Sequence, residues 1–337
     1  MQAAGLFDRQ GYHRVKPPRR RTLSTDRSVD KSKEEVAVHE IKLLSLIEIE
    51  LESSFLVLAR NMGIRTRVPT WGVLILGNPV GPILVDTGAS GAAIMERLGM
   101  TGQVTDEMKL EAQLARYGLE PKDVRYVLHT HTHIDHAGQD DHFPMTTTVV
   151  MNRRELEYSA SGLMGEQYPA EYVKHHLDRL HTPGAMRLLD LELSGPDEIA
   201  PGVVCEAAGG HTEGSMNILV DLVNGEKACI CGDVIYDVHN QIVDPIWQVN
   251  DYEPQTTGNH GMRKREEKAS IKKALNSGDV VIPIHDFPAR VKGGRILSRF
   301  KHEVPGEETA VEHRTCAETG EMGLGRGGPV LPMPAAV

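Results

Sequence analysis

Aromatic residues are scarce in this chain, at 4% of 337 residues, with 2 Trp and 5 Phe. A groove that stacks nucleotide bases needs aromatic rings interleaved with basic residues, and the sequence offers none. The formal net charge of −10 points the same way, since a polyanion is a poor partner for an acidic protein. No apolar run approaches the roughly 18 residues a membrane helix requires. The N-terminal residues include basic side chains but no apolar stretch behind them, so they do not read as a secretory signal. The 4 cysteines are too few for a disulfide framework in a chain of this length. Cys229 and Cys231 sit in an apolar run and read as small core side chains. These absences lead us to expect a cytoplasmic, reduced protein acting on a small molecule, with neither nucleic acid nor membrane as partner. A homodimer is an assembly the sequence leaves open.

What is present suits a sizeable core: 40% of residues are apolar, enough for one large domain or two small ones. Residues 1–40 are polar and charged, with Pro17, Pro18 and the run Arg19, Arg20, Arg21. They read as a flexible arm that buries little apolar surface. From Gly306 to the end the chain is rich in Glu, Gly and Pro and reads as a loose tail. Residues 41–305 are then the folded domain. Within it, apolar runs at 73–76 and 83–85 flank Gly77, Asn78, Pro79 and Gly81, which predicts a hairpin. Helical periodicity predicts a helix over 106–117, stopped by Gly118 with Pro121 beyond. Further strands are expected at 126–128, 148–151, 218–220, 228–231 and 280–284, and a charged helix at 264–275. Strands before and between helices indicate a layered α/β fold.

The chemistry concentrates after the strand at 126–128, in His131-x-His133-x-Asp135-His136. A loop leaving a strand end can aim several imidazoles at one spot, and neutral imidazole with carboxylate suits Zn²⁺. Four ligands within six residues do not fit comfortably around one ion. Alternate residues can serve one metal while the last two serve a second. Further donors recur in similar settings downstream. His211 lies in the Gly-flanked turn Gly-Gly-His-Thr-Glu-Gly-Ser, Asp233 ends Ala-Cys-Ile-Cys-Gly-Asp, and His285 ends Val-Val-Ile-Pro-Ile-His. Asp86, in Ile-Leu-Val-Asp-Thr-Gly, is another strand-end acid, placed to hold and orient a ligand imidazole.

This order of motifs resembles the metallo-β-lactamase superfamily, and three details resemble the N-acyl-homoserine lactonase family within it. The run Tyr-Gly-Leu-Glu-Pro-Lys-Asp-Val-Arg-Tyr-Val-Leu leads into the His loop, Tyr236 follows Asp233 by three residues, and Asp286 follows His285. The resemblance covers roughly residues 70–295. It implies a four-layer αββα sandwich and two Zn²⁺ per chain. His131, His133 and His211 would hold the first zinc, Asp135, His136 and His285 the second, and Asp233 would bridge them. Tyr236 would sit over a substrate carbonyl. The chain departs from those lactonases in its N-terminal arm, its C-terminal extension, the segment 237–260 and the absence of Pro from the His211 turn.

The activity so implied is opening of a lactone by a metal-bridging hydroxide, as in quorum quenching, with Tyr236 stabilising the oxyanion and Asp135 or a metal-bound water passing a proton to the leaving alkoxide. The same ligands would serve a glyoxalase II-like thioesterase, or a hydrolytic dehalogenase or esterase acting on an aromatic xenobiotic. A nuclease of this fold fits the acidic balance poorly, and a non-catalytic binding module would be expected to have lost ligands. Leu163, Met164, Tyr168, Tyr172 and Trp247 are the expected pocket walls.

Overall fold

A computed structural model describes residues 38–245, 253–258, 263–311 and 331–332. Strand β1, Glu40–Glu52, is a 13-residue strand that pairs antiparallel with β2, Ile64–Leu76. β2 continues through the expected hairpin into β3, Ile83–Val85. Short β4, Thr101–Gln103, pairs with the far end of β1. Beyond β3 the sheet grows by parallel strands, β5 (Tyr126–Leu128), β6 (Thr148–Asn152) and β7 (Met186–Leu189). The second sheet is built from β8 (Asp197–Ala200), β9 (Val203–Ala207), β10 (Met216–Asp221), β11 (Lys227–Gly232), β12 (Val280–Pro283), β13 (Ala289–Lys292) and β14 (Arg295–Phe300), antiparallel except for the parallel pair β11–β12. The chain then returns to β1 as β15, Glu303–Val304.

Alternation along these strands makes the layers. In β5 Leu128 faces the other sheet while Val127 faces outward; Val150 and Val149 divide likewise in β6. In β11 Ala228 and Ile230 face inward while Cys229 and Cys231 face out, and in β12 Val280 and Ile282 oppose Val281. The inward set from both sheets forms one core. The outer face of the first sheet is covered by α1 (Leu110–Ala115) and α2 (Arg153–Ala160), through Leu110, Leu114 and Leu156. Helices α3 (Ala170–Leu180) and α4 (Leu191–Ser194) follow in the chain. The outer face of the second sheet is covered by α5 (Lys264–Ser277), through Ile271, Ala274 and Leu275. Four layers result, helix–sheet–sheet–helix, because strands apolar on both faces need cover on both.

Two expectations are corrected. The helix expected over 106–117 is split: a single turn at Asp106–Met108 ends in extended backbone at Lys109, and α1 starts anew at Leu110. The split buries both Met108 and Leu110. The segment expected to be a loose tail contributes two strands, β16 (Glu308–Ala310) beside β14 and β17 (Leu331–Pro332) beside β2. The Glu308 carboxylate explains the first of these, because it pairs with Arg290 at 2.7 Å and accepts a bond from Ser298. Residues 1–37, most of the expected arm, lie outside the described residues. Among the described residues no helix is long and apolar enough to cross a membrane.

Candidate metal centre and active site

The parallel pairs β3–β5 and β11–β12 release their chains at strand ends, and every donor-bearing loop but one leaves such an end. Asp86 follows β3, the 129–136 loop follows β5, Asp233 follows β11, and His285 lies two residues beyond β12. His211 comes from the turn between β9 and β10. That turn is tight: a Cβ on Gly210 would lie 2.5 Å from Ser270 Oγ, and its φ of +83° also favours glycine.

The seven residues singled out as ligands meet as two adjoining clusters. His131 Nε2, His133 Nδ1 and His211 Nε2 lie 3.0–3.1 Å from one another. Asp233 Oδ2 is 3.5 Å from His211 Nε2 and 3.7 Å from His131 Nε2. The other oxygen, Asp233 Oδ1, lies 3.2 Å from His136 Nε2 and 3.3 Å from His285 Nε2. Asp135 closes that second group, with Oδ2 3.4 Å from His285 Nε2. One carboxylate thus turns an oxygen toward each cluster.

This arrangement fits zinc by its own chemistry. A tetrahedral zinc shell holds neighbouring nitrogens about 3.3 Å apart, and three mutually close ring nitrogens cannot be satisfied by sharing protons among themselves. His136 Nε2 and Asp233 Oδ1 are buried and make no good hydrogen bond among the described residues. Burial and the neighbouring imidazoles hold His131 and His133 well below the usual histidine range. Burial lowers His211 to about 4 against the pull of Asp233. These three rings are therefore neutral and present lone pairs. Burial would also lower His136, but Asp233, Asp135 and Asp86 outweigh it and raise its pKa well above normal. Burial would raise Asp233, yet the surrounding imidazoles, His136 foremost, hold it well below the carboxylate range.

The rings are held from behind. His136 Nδ1 donates to Asp86 Oδ2 at 2.9 Å, and Asp86 also accepts from the Thr130 backbone N–H and hydroxyl at 2.9 and 2.7 Å. Asp86 does this from φ +58°, a left-handed conformation few residues adopt. His285 Nδ1 donates to the Pro69 carbonyl at 2.8 Å. These bonds turn both Nε2 atoms toward Asp233 Oδ1. Tyr236 is buried between the clusters, its ring stacked on His285 with centroids 5.2 Å apart and 5.7 Å from the His211 ring.

A third group, His129, Asp140 and His176, is of another kind. Both imidazoles aim Nε2 at the same oxygen, Asp140 Oδ2, at 2.8 and 2.9 Å, and Thr87 bonds the other oxygen at 3.0 Å. Burial would lower His129, but Asp140 and Asp86 push it up to about 9. This is a hydrogen-bonded ion pair in which Asp140 takes up both Nε2 atoms.

The expected pocket walls are corrected. Leu163 is 74% exposed, and neither it nor Met164 lines the cavity at the centre. Tyr168 and Tyr172 are buried behind the loop, donating to Glu155 and to the Ile134 carbonyl. Trp247 lies outside the described residues. The wall instead comes from β1, β2 and the segments after them: Ile49, Leu51, Leu56, Val68, Met95 and Leu98. His133, Asp135, Asp233, Tyr236 and His285 form the cavity's polar end. The sequence signal was the alternation Ile47-Glu48-Ile49-Glu50-Leu51, which marks a strand. Glu155, buried and far in sequence from every ligand, gave no such signal.

A model of the metallo-β-lactamase superfamily matches residues 65–285. The chain belongs to this superfamily. Among curated relatives, an N-acyl homoserine lactonase of a Bacillus species is 30% identical over 182 residues, covering 51% of this chain. The chain spans 66% of that relative's length, just under two thirds. Two solved structures share the fold. A quorum-quenching N-acyl homoserine lactone hydrolase superposes with a TM-score of 0.55 at 24% identity, over 70% of this chain and 86% of its own. AidC, a dizinc quorum-quenching lactonase in complex with a product, does so with a TM-score of 0.54 at 16% identity, over 78% and 94%. The αββα sandwich is accordingly the metallo-β-lactamase fold.

Proposed function

We propose that this chain is a dinuclear zinc hydrolase that opens the ring of a lactone resembling an N-acyl-homoserine lactone. The observation that carries the reading is Asp233, whose two oxygens face two separate histidine clusters beside an apolar cavity. His131, His133 and His211 would hold one ion and Asp135, His136 and His285 the other, with Asp233 shared. Imidazole-rich sets favour zinc over magnesium or calcium. When bound, two such ions lower the pKa of a shared water and so supply a nucleophile near neutral pH.

The protein's own groups do the rest. The apolar wall takes up an acyl chain and leaves the polar ring at the histidine end. The Tyr236 phenol donates a hydrogen bond to the lactone carbonyl oxygen as negative charge builds there. Asp135, which lines the cavity beside His133, takes a proton from the attacking water and passes it to the departing ring oxygen. Water adds across the acyl–oxygen bond, giving one product that bears a carboxylate and a hydroxyl. The kinship with lactonases supports this choice of substrate over thioesters or activated aromatics.

A substrate panel tests it. Zinc-loaded protein is assayed on acyl-homoserine lactones, thioesters and activated aryl esters, with the products identified by NMR. Ring-opened hydroxy acid formed with the highest kcat/KM is expected; a thioester or aryl substrate turned over a hundredfold better than any lactone would overturn the assignment.

A further inference from the structure

Glu155 is 1% exposed and bonds to none of the seven ligand side chains among the described residues, yet it ties together the loops that carry the first cluster. Its Oε1 accepts from the backbone N–H of Thr132 at 2.8 Å and from the Thr132 hydroxyl at 3.3 Å. Thr132 is the residue between His131 and His133. Its Oε2 accepts from the Thr212 hydroxyl at 2.6 Å, and Thr212 follows His211 directly. The Tyr168 hydroxyl donates to Oε1 at 2.9 Å while its ring packs on His133, centroids 4.7 Å apart.

An independent packing observation joins the same two loops. A Cβ on Gly214 would lie 2.0 Å from the Glu155 backbone nitrogen, so the His211 turn is seated directly on the first turn of α2. That explains the glycine after Glu213. A buried carboxylate is expensive unless its acceptors are filled, and here four bonds fill them. The second cluster is braced by different groups, Asp86 and the Pro69 carbonyl.

We propose that Glu155 is the positioning residue of the first metal centre, fixing Thr132 and Thr212 so that His131, His133 and His211 converge. The inference rests on reading that cluster as a metal centre. It assigns Glu155 no contact with substrate.

The test uses the full chain, stripped by chelation and reloaded with ¹¹³Cd²⁺, and reads cadmium NMR and binding affinity. Wild type should give two resonances, and His285→Ala should remove the one belonging to the second centre. Glu155→Ala should weaken the other by 10-fold to 100-fold, the usual effect of losing a group that orients ligands, and leave the second centre unchanged. Glu155→Gln, which keeps an acceptor oxygen, should recover most of the affinity. Should Glu155→Ala fail to fold, Thr212→Val removes one bond of the same set and should weaken the first centre alone. Unchanged affinity in a folded Glu155→Ala or Thr212→Val protein, or equal loss at both centres, overturns the proposal. Wild type that binds no cadmium would defeat the metal-centre reading itself.

Discussion

Asp233 makes the strongest demand of any single side chain, since one carboxylate must satisfy two imidazole groups 3.2–3.7 Å from its oxygens. A neutral amide bridges two cations poorly. Asp233→Asn should therefore reduce metal content at both centres, measured by elemental analysis after dialysis; a mutant with full metal and full rate would show Asp233 to be a turn residue. Tyr236 is placed differently, stacked on His285 between the clusters and lining the cavity beside them. Tyr236→Phe should keep both metals and lower kcat on lactones by roughly 10-fold to 100-fold, less than a lone oxyanion donor because a metal shares the charge. Equal rates for the two proteins on every lactone would remove Tyr236 from the mechanism.

At the scale of elements, the β1–β2 hairpin decides what can bind. Beyond the irregularity between Ser45 and Ile47 it projects past the two-sheet core and packs its own cluster, Ile47, Ile49, Leu51 and Val68, against Ile134 and Tyr236. The cavity wall and the His loop therefore share one apolar contact surface. Ile49→Trp should fill the cavity and lower kcat/KM for long-chain lactones at least tenfold more than for short-chain ones. Overpacking there should destabilise the fold by about 1–3 kcal/mol, to be followed by thermal unfolding. Equal losses for short and long chains would place the acyl group elsewhere.

For the whole molecule, the buried ion pair behind the metal loops sets an acid limit on stability. Burial alone would raise the Asp140 carboxyl, but His129 and then His176 hold it well below the carboxylate range. A depressed folded pKa means the contribution is present above the unfolded value of about 3.9 and is lost as pH falls toward the folded one. Asp140→Asn should cost roughly 3–5 kcal/mol at neutral pH, as when one partner of a buried pair is removed. In urea unfolding the gap to wild type should widen as pH falls from 7 to about 5, where the unfolded His129 also becomes charged and its raised folded pKa contributes in full, and shrink below about 4. A gap as wide at pH 3 as at pH 5 would contradict the pairing.

The clustered His and Asp donors and Asp86 were legible because the chemistry of each is local: donor residues following short apolar runs, in an order that spacing alone displays. The strands at 126–128, 148–151 and 228–231 were legible for the same reason, since a strand buried on both faces is a continuous apolar run. Glu155 and the true cavity wall were not legible. Glu155 acts only because α2 brings it beside Thr132 and Thr212, 23 and 57 residues away. Leu56, Met95 and Leu98 are ordinary apolar residues until the β1–β2 hairpin folds over the His loop. Sequence by itself determined which atoms can bind metal and that the chain is layered α/β. Tertiary structure decided which residues hold those atoms in place and which surface a substrate meets, because both depend on contacts between segments that no local pattern encodes.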